Sequence, residues 1–262
     1  MQPIWSDQLG PTTSLLSQRA RRTPVTAKHE KITEALITDI LGGRYRPGDR
    51  LPSERDLALR FASNRGSIRE AMRRIQQLGL AEILPGGARV QERRAASLDV
   101  IGHLLSAGPL PDPVLADQIL VVINALLQVA AEQILEFASD EEIEKIRALL
   151  PPLMKRDTTD AEHNQTRIAL LRSILLSSQN LPLQLIARTL FEQLAPSLQN
   201  LADHVTLDRE RYAAYARQLD LAFIQRDLPA LRGIFDAFAQ LNRESMLNAF
   251  ANAQPGQEAA KG

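Results

Sequence analysis

The stretch RLPSERDLALRFASNRGSIREAMRRIQQLG, residues 50 to 79, holds seven arginines, and their spacing separates the tasks they could perform. A guanidinium releases counterions from a phosphate backbone, and its planar fork matches O6 and N7 of guanine, so arginine serves both non-specific and base-reading contacts with duplex DNA. Arg65 and Arg69 stand four apart near the start of a helical pattern, where an exposed N-terminal turn can enter a groove. Arg55 opens the preceding helical pattern, which in such a motif crosses the phosphate backbone. Asn64, Gly66 and Ser67 complete the candidate DNA-binding set at this helix start, Gly66 either by loosening the helix start or by allowing close approach of a phosphate. Arg73 and Arg74 lie deeper in the pattern, where solvation or pairing within the protein competes with DNA contact.

These side chains need elements to hold them. From Lys28 to Leu41 the apolar positions Ile32, Ala35, Leu36, Ile37 and Ile40 fall at helical spacing, and Gly42 and Gly43 end the run. RYRPGDRLP reads as a turn. Ser53 with Asp56 three residues later predicts a capped second helix, its buried side supplied by Leu57, Ala58 and Phe61. The residues ASN make a tight connection, and Ser63 or Asn64 caps a third helix that runs to Leu78 and is closed by Gly79. Ile68, Ala71, Met72, Ile75 and Leu78 form its apolar face. LAEIL and ARVQ, separated by PGG, predict a hairpin in which Gly86 and Gly87 bring backbone to a minor groove and Arg89 inserts beside it. Three helices and a hairpin make a winged helix-turn-helix.

PGDRLPSERDLALRF followed by SNRGSIREAMRRIQQLGLAEILPGGARV resembles the DNA-binding domain of GntR-family bacterial transcription regulators over about residues 28 to 92. The likeness rests on the LPSER opening of the second helix, the R-x-x-[IV]-R-E-A core of the third and a glycine at the wing tip. Two local departures are Gly66, where the pattern carries a hydroxyl or other small side chain, and the wing sequence PGGAR. The resemblance implies a homodimer on a short, imperfectly palindromic double-stranded operator.

From Pro113 onward the patterns are helical: 114–138, 140–155, 160–178, 181–204, 208–226 and 228–252. The first, apolar nearly all round but broken by Asp117, Gln118, Asn124 and Gln128, predicts a central buried helix and not a membrane span. The fold class is therefore mainly α, a winged helix-turn-helix (28–96), a linker (97–112) and an all-α effector or dimerisation domain (113–252), between disordered tails at 1–27 and 253–262. The six-helix layout resembles the FadR-type effector domain. Many members of that branch hold a metal with one Asp and three His; the family pattern falls here on Arg167, Leu171, Ala216 and Phe238, none of which coordinates a divalent cation. An Arg and a Glu of the family's central helix fall on Ile123 and Leu127. The resemblance thus implies no metal and an apolar effector site, Ile123, Leu127, Leu171, Ala216 and Phe238 around Arg167, suited to acyl-CoA or a fatty acid. Two alternatives stand beside it: a small organic acid effector, or a packed core that serves only dimerisation or protein binding. His29, His103, His163 and His204 read as structural or solvated.

Composition narrows the classes. The chain has 262 residues, no cysteine and a formal net charge of zero. Thiolate chemistry is excluded, and a reducing compartment, the cytoplasm, is expected. The neutral total conceals 14 basic against 9 acidic residues over 28–96 and 14 against 21 over 97–262, the pattern of a polyanion-binding module joined to a different one. No G-x-S-x-G or G-x-x-x-x-G-K motif is present, and DEEIEK at 140–145 reads as a dipole-stabilised helix start, so neither an enzyme nor a cofactor is expected.

Overall fold

A helix whose apolar residues share one face must bury that face against a neighbour, and the chain does so in two separate cores. The computed structural model describes residues 24–108, 110–155, 157–199, 201 and 204–253, and it divides into two units after Val100. In the first, α1 (Pro24–Leu41) packs on α3 (Arg65–Gln77), with α2 (Glu54–Arg60) also against α3. Ile32, Leu36, Ile37 and Ile40 meet the face expected of the third helix, and Ile68, Ala71, Met72, Ile75 and Leu78 are all buried. Burying each such large side chain contributes roughly 1.5–3 kcal/mol. α1 begins at Pro24, inside the stretch expected to be tail, because proline's fixed φ and missing N–H suit a first helical turn. The rest of that tail, and all of the C-terminal one beyond Ala253, lie outside the described residues. Gly43, at φ +82°, closes α1 while the N–H groups of Gly43 and Arg44 return to the carbonyls of Ile40 and Asp39.

The hairpin pairs β1 (Ala81–Leu84) with β2 (Gly87–Val90), Ala81 opposite Val90 and Leu84 opposite Gly87, around a Pro85–Gly86 turn. Backbone hydrogen bonds of Gly48, Asp49 and Leu51 to Ala88 and Val90 lay the segment before α2 along β2. The hairpin is thereby tied to the start of the helix-turn-helix.

The second unit is helical: α4 (Val100–Leu105), α5 (Pro113–Phe137), α6 (Asp140–Arg147), α7 (Asp160–Ser177), α8 (Leu181–Gln199), α9 (Arg209–Gln225) and α10 (Leu228–Ala253). Three expectations need correction. The stretch 97–112 is not a bare linker, since it holds α4, with Val100 and Leu105 buried. The helix expected over 140–155 stops at Arg147 and resumes only as a 3₁₀ turn at Pro151–Met154, because Pro151 and Pro152 lack the N–H groups a continuing helix needs. α5 is, among the described residues, long and apolar enough by composition to cross a membrane, and it is buried along one stripe rather than all round. That stripe, from Ala116 through Ile123 and Leu127 to Leu135, packs against α7, α8 and α10, while Val121, Val122, Val129 and Phe137 are exposed.

Candidate nucleic-acid interface and effector site

The start of α3 is built by its cap. The Asn64 side-chain oxygen accepts from the Ser67 N–H at 2.8 Å, a bond worth about 1 kcal/mol to the helix. The preceding turn passes through Ala62 in the left-handed region, φ 44°, which turns α2 into α3 in few residues. A Cβ at Gly66 would sit 3.1 Å from Asn64 Oδ1, so the glycine leaves room for the cap as well as for an approaching phosphate. Ser67 is a correction: it lies 5% exposed on the inner side of α3, where it cannot reach a groove. The sequence pattern hid this because Ser67 directly precedes the apolar face at Ile68.

The arginines sort by partner. Arg60 is committed to Asp39 of α1 at 2.5 Å and lies over the Phe61 ring, and Arg73 pairs with Glu70 at 2.7 Å. Arg55, Arg65 and Arg74 are exposed, with no ion pair or hydrogen bond from their side chains among the described residues. Arg69 has only a distant contact, 3.8 Å from Nε to Glu54, with both side chains about half exposed. The cap thus presents Arg65 and Arg69 from the first two turns of α3, and Arg55 stands in the first turn of α2.

At the wing the sequence pattern was an incomplete guide. Arg89 Nη1 donates to the Gly48 carbonyl at 2.9 Å, which ties Arg89 to the segment preceding α2 instead of leaving it extended toward a groove. The guanidinium at the wing tip belongs to Arg50, whose Nη2 donates to the Gly86 carbonyl. Gly86 and Gly87 have φ +95° and +136°, and a Cβ on either would lie 3.2 or 3.0 Å from the Arg50 guanidinium. The two glycines therefore form the seat of an arginine that lies 36 residues away in the chain. The only sequence signal was the R directly before LPSER.

In the helical unit, Ile123, Leu127, Ala216 and Phe238 are buried members of one continuous core, with Leu171 packed against it. Two surface grooves, of about 420 and 510 Å³, are lined by α7 residues around Arg172 and by residues around Phe137 and Leu181, and by none of the six effector candidates. Arg167 is half-buried, its Nη2 donating to Asn242 at 2.7 Å and its Cζ 5.1 Å from the Tyr212 ring centroid. Tyr212, on α9, also packs against Phe238 at 4.8 Å and edge-on against His163 at 5.0 Å. His163 is 3% exposed. Burial first, then the Arg167 and Arg209 guanidiniums, push its pKa down to about 4, so the ring is neutral near pH 7. His163, Tyr212 and Asn242 carried no readable sequence signal as a group, although His163 and Arg167 stand at i and i+4 on α7. Among the described residues no three His, Asp or Glu side chains converge to hold a metal.

Residues 28–90 match the family model of bacterial regulatory proteins, gntR family. The HTH-type transcriptional regulator Mce2R of Mycobacterium tuberculosis is 40% identical over 86 residues, 31% of this chain and 36% of the relative. An uncharacterised HTH-type transcriptional regulator of the same species, Rv0494, is 30% identical over 160 residues, 61% of this chain and 65% of its own length. The chain thus spans less than two thirds of each of these relatives. The solved structure of Lar, which controls expression of the Listeria monocytogenes agr system, aligns over 88% of this chain and 98% of its own with a TM-score of 0.53 at 17% identity, a likeness of fold.

Proposed function

We propose that this protein is a GntR-family transcription regulator of FadR type. In this reading it works in the cytoplasm as a homodimer on a short, imperfectly palindromic double-stranded operator, and a hydrophobic effector in the helical unit sets its operator affinity. The observation that carries the DNA-binding part is the capped, exposed start of α3, with Arg65 unpaired and Arg69 nearly so, inside the segment that matches the family model. Two copies are required by reach, since one recognition helix reads only a few base pairs and two-fold symmetry doubles them. Acyl-CoA or a fatty acid is the effector favoured by Arg167 beside Tyr212 and Phe238, because each buried methylene contributes about 0.8 kcal/mol and the guanidinium meets the polar end. The way in lies at Arg167 and Leu171, the two candidates that are not fully buried. Such a ligand alters operator binding only if it favours one arrangement of the dimer over another. The dense packing of Ile123, Leu127, Ala216 and Phe238 supports a second reading, in which the helical unit only dimerises.

The test begins with duplexes selected by the purified protein from a random pool. Anisotropy titrations should show sequence preference in the wild type and none in the Arg65→Ala, Arg69→Ala double variant. A double variant with full preference sinks the recognition-helix assignment. Operator release by decanoyl-CoA supports the effector reading, and a dimer indifferent to every acyl ligand selects the dimerisation-only alternative.

A further inference from the structure

We infer that His163 and Arg167 form the head-group site of the helical unit, and that it takes a ligand whose polar end carries a hydroxyl beside a carboxylate. This rests on the effector reading above and specifies its chemistry. Both residues project from the same face of α7, one turn apart, and both lie against Tyr212. A His163 ring nitrogen donates to the Leu153 carbonyl, and Nε2 is buried with no hydrogen-bond partner. The donor is then Nδ1, and in the neutral ring Nε2 carries an unused lone pair, an acceptor only. Arg167 Nε is likewise buried and unpartnered, and its N–H is a donor only. A buried acceptor and a buried donor left unmatched each cost stability, and a carboxylate, which only accepts, cannot satisfy Nε2. A hydroxyl donates to Nε2, and an adjacent carboxylate oxygen accepts from Arg167 Nε–H.

Charge selects the carboxylate. Among the described residues the Arg167 guanidinium donates to two neutral oxygens, Asn242 Oδ1 at 2.7 Å and the Tyr212 hydroxyl, and pairs with no carboxylate. The second cation near His163, Arg209, is already held by the carbonyls of Thr158 and Thr159 and by Asp160, 3.4 Å away. A half-buried guanidinium without a carboxylate partner favours an anion arriving from outside. The aromatic wall of Tyr212, Phe238 and Tyr215, and Leu171 one turn beyond Arg167, offers carbon surface to an alkyl chain attached to the head group. A hydroxylated fatty acid combines these features.

The probes are 3-hydroxydecanoate and decanoate, titrated calorimetrically into the full chain, with operator release followed in parallel. Wild type is expected to bind the hydroxy acid at least about tenfold more tightly than decanoate, because a buried acceptor left without its donor penalises the plain chain. His163→Phe keeps a ring against Tyr212 and removes the lone pair. In that variant the two acids should bind alike, and Arg167→Met should lose both. The wild-type comparison stands alone if a variant fails to fold. Equal affinity for the two acids overturns the hydroxyl assignment and leaves the acyl-effector reading intact. Binding of neither acid overturns both and makes the His163–Arg167 pair a buried, water-satisfied element of the core.

Discussion

At the scale of single residues, the arginines are distinguished by their partners, and this sets what each substitution should do. Arg65→Ala or Arg69→Ala should remove about 1–3 kcal/mol of discrimination between the operator and mismatched duplexes, the range for one bidentate base contact. Arg55→Ala should weaken all sequences alike and lower the slope of log K against log salt by about 1. Equal loss on every duplex for all three would make them phosphate contacts only. Arg50→Ala and Gly87→Ala should weaken binding together, since the glycine's φ of +136° and the 3.0 Å clearance seat that arginine, and hydrogen exchange confined to the hairpin would register the loosened wing. The candidate site around α3 was proposed from the sequence because arginine at a helix start leaves a sequence trace. Arg50 on Gly86 was not, because a contact between residues 36 apart depends on how strands pair. His163 acts at this scale too. Its folded pKa of about 4 lies below the ordinary 6.5, so it contributes stability fully above pH 6.5, and that contribution is lost as pH falls from 6.5 toward 4. The full loss is on the order of 3 kcal/mol. Denaturant unfolding of His163→Phe should therefore show a flatter acid limb than wild type between those two values, and parallel limbs would refute the assignment.

At the scale of elements, caps and breakers determine where helices begin and end. Ser139 with Glu142 and Thr159 with Glu162 form complete capping boxes on α6 and α7, and alanine at Ser139 or Thr159 should cost about 1 kcal/mol each in urea unfolding of the helical unit. Gly79 is a harsher case. It closes α3 at φ +69°, and an added Cβ would overlap the Ala95 carbonyl. Gly79→Ala should cost at least about 2 kcal/mol and melt the helix-turn-helix unit first, measurable as lost protection of α3 amides. A silent Gly79→Ala would mean that the Arg93–Ala95 turn yields freely. α3, with the sharpest apolar face, was readable to within a few residues, and so were the longer α1, α7 and α10. α4 was not, because six residues are too few to display a period. The break after α6 was visible in Pro151–Pro152 but was overridden by the surrounding apolar spacing.

At the scale of the whole molecule, α5 has an apolar face that the described residues of its own unit leave exposed. Its buried stripe faces α7, α8 and α10, while Val122, Ala125 and Val129, at i, i+3 and i+7, form an exposed row, with Val122 46% and Val129 45% exposed. Composition alone could not reveal this, since an all-round apolar helix reads the same whether its second face meets its own chain or another. Contiguous exposed apolar surface marks an interaction site, and the palindromic-operator reading supplies the occupant: a second copy related by a two-fold axis, so that each valine row faces its own equivalent. A stable isologous contact needs about 800 Å² from each partner. A 25-residue helix provides the length for it. Placing carboxylates at Val122 and Val129 would set like charges against each other across the axis without entering the core. Native mass spectrometry should therefore show a dimer for the wild type and a monomer for the Val122→Glu, Val129→Glu variant, with unchanged helical circular dichroism. Operator binding by the variant should become second order in protein at low concentration, because two monomers must then assemble on the DNA. A double variant that remains dimeric and binds like wild type would move the interface away from α5.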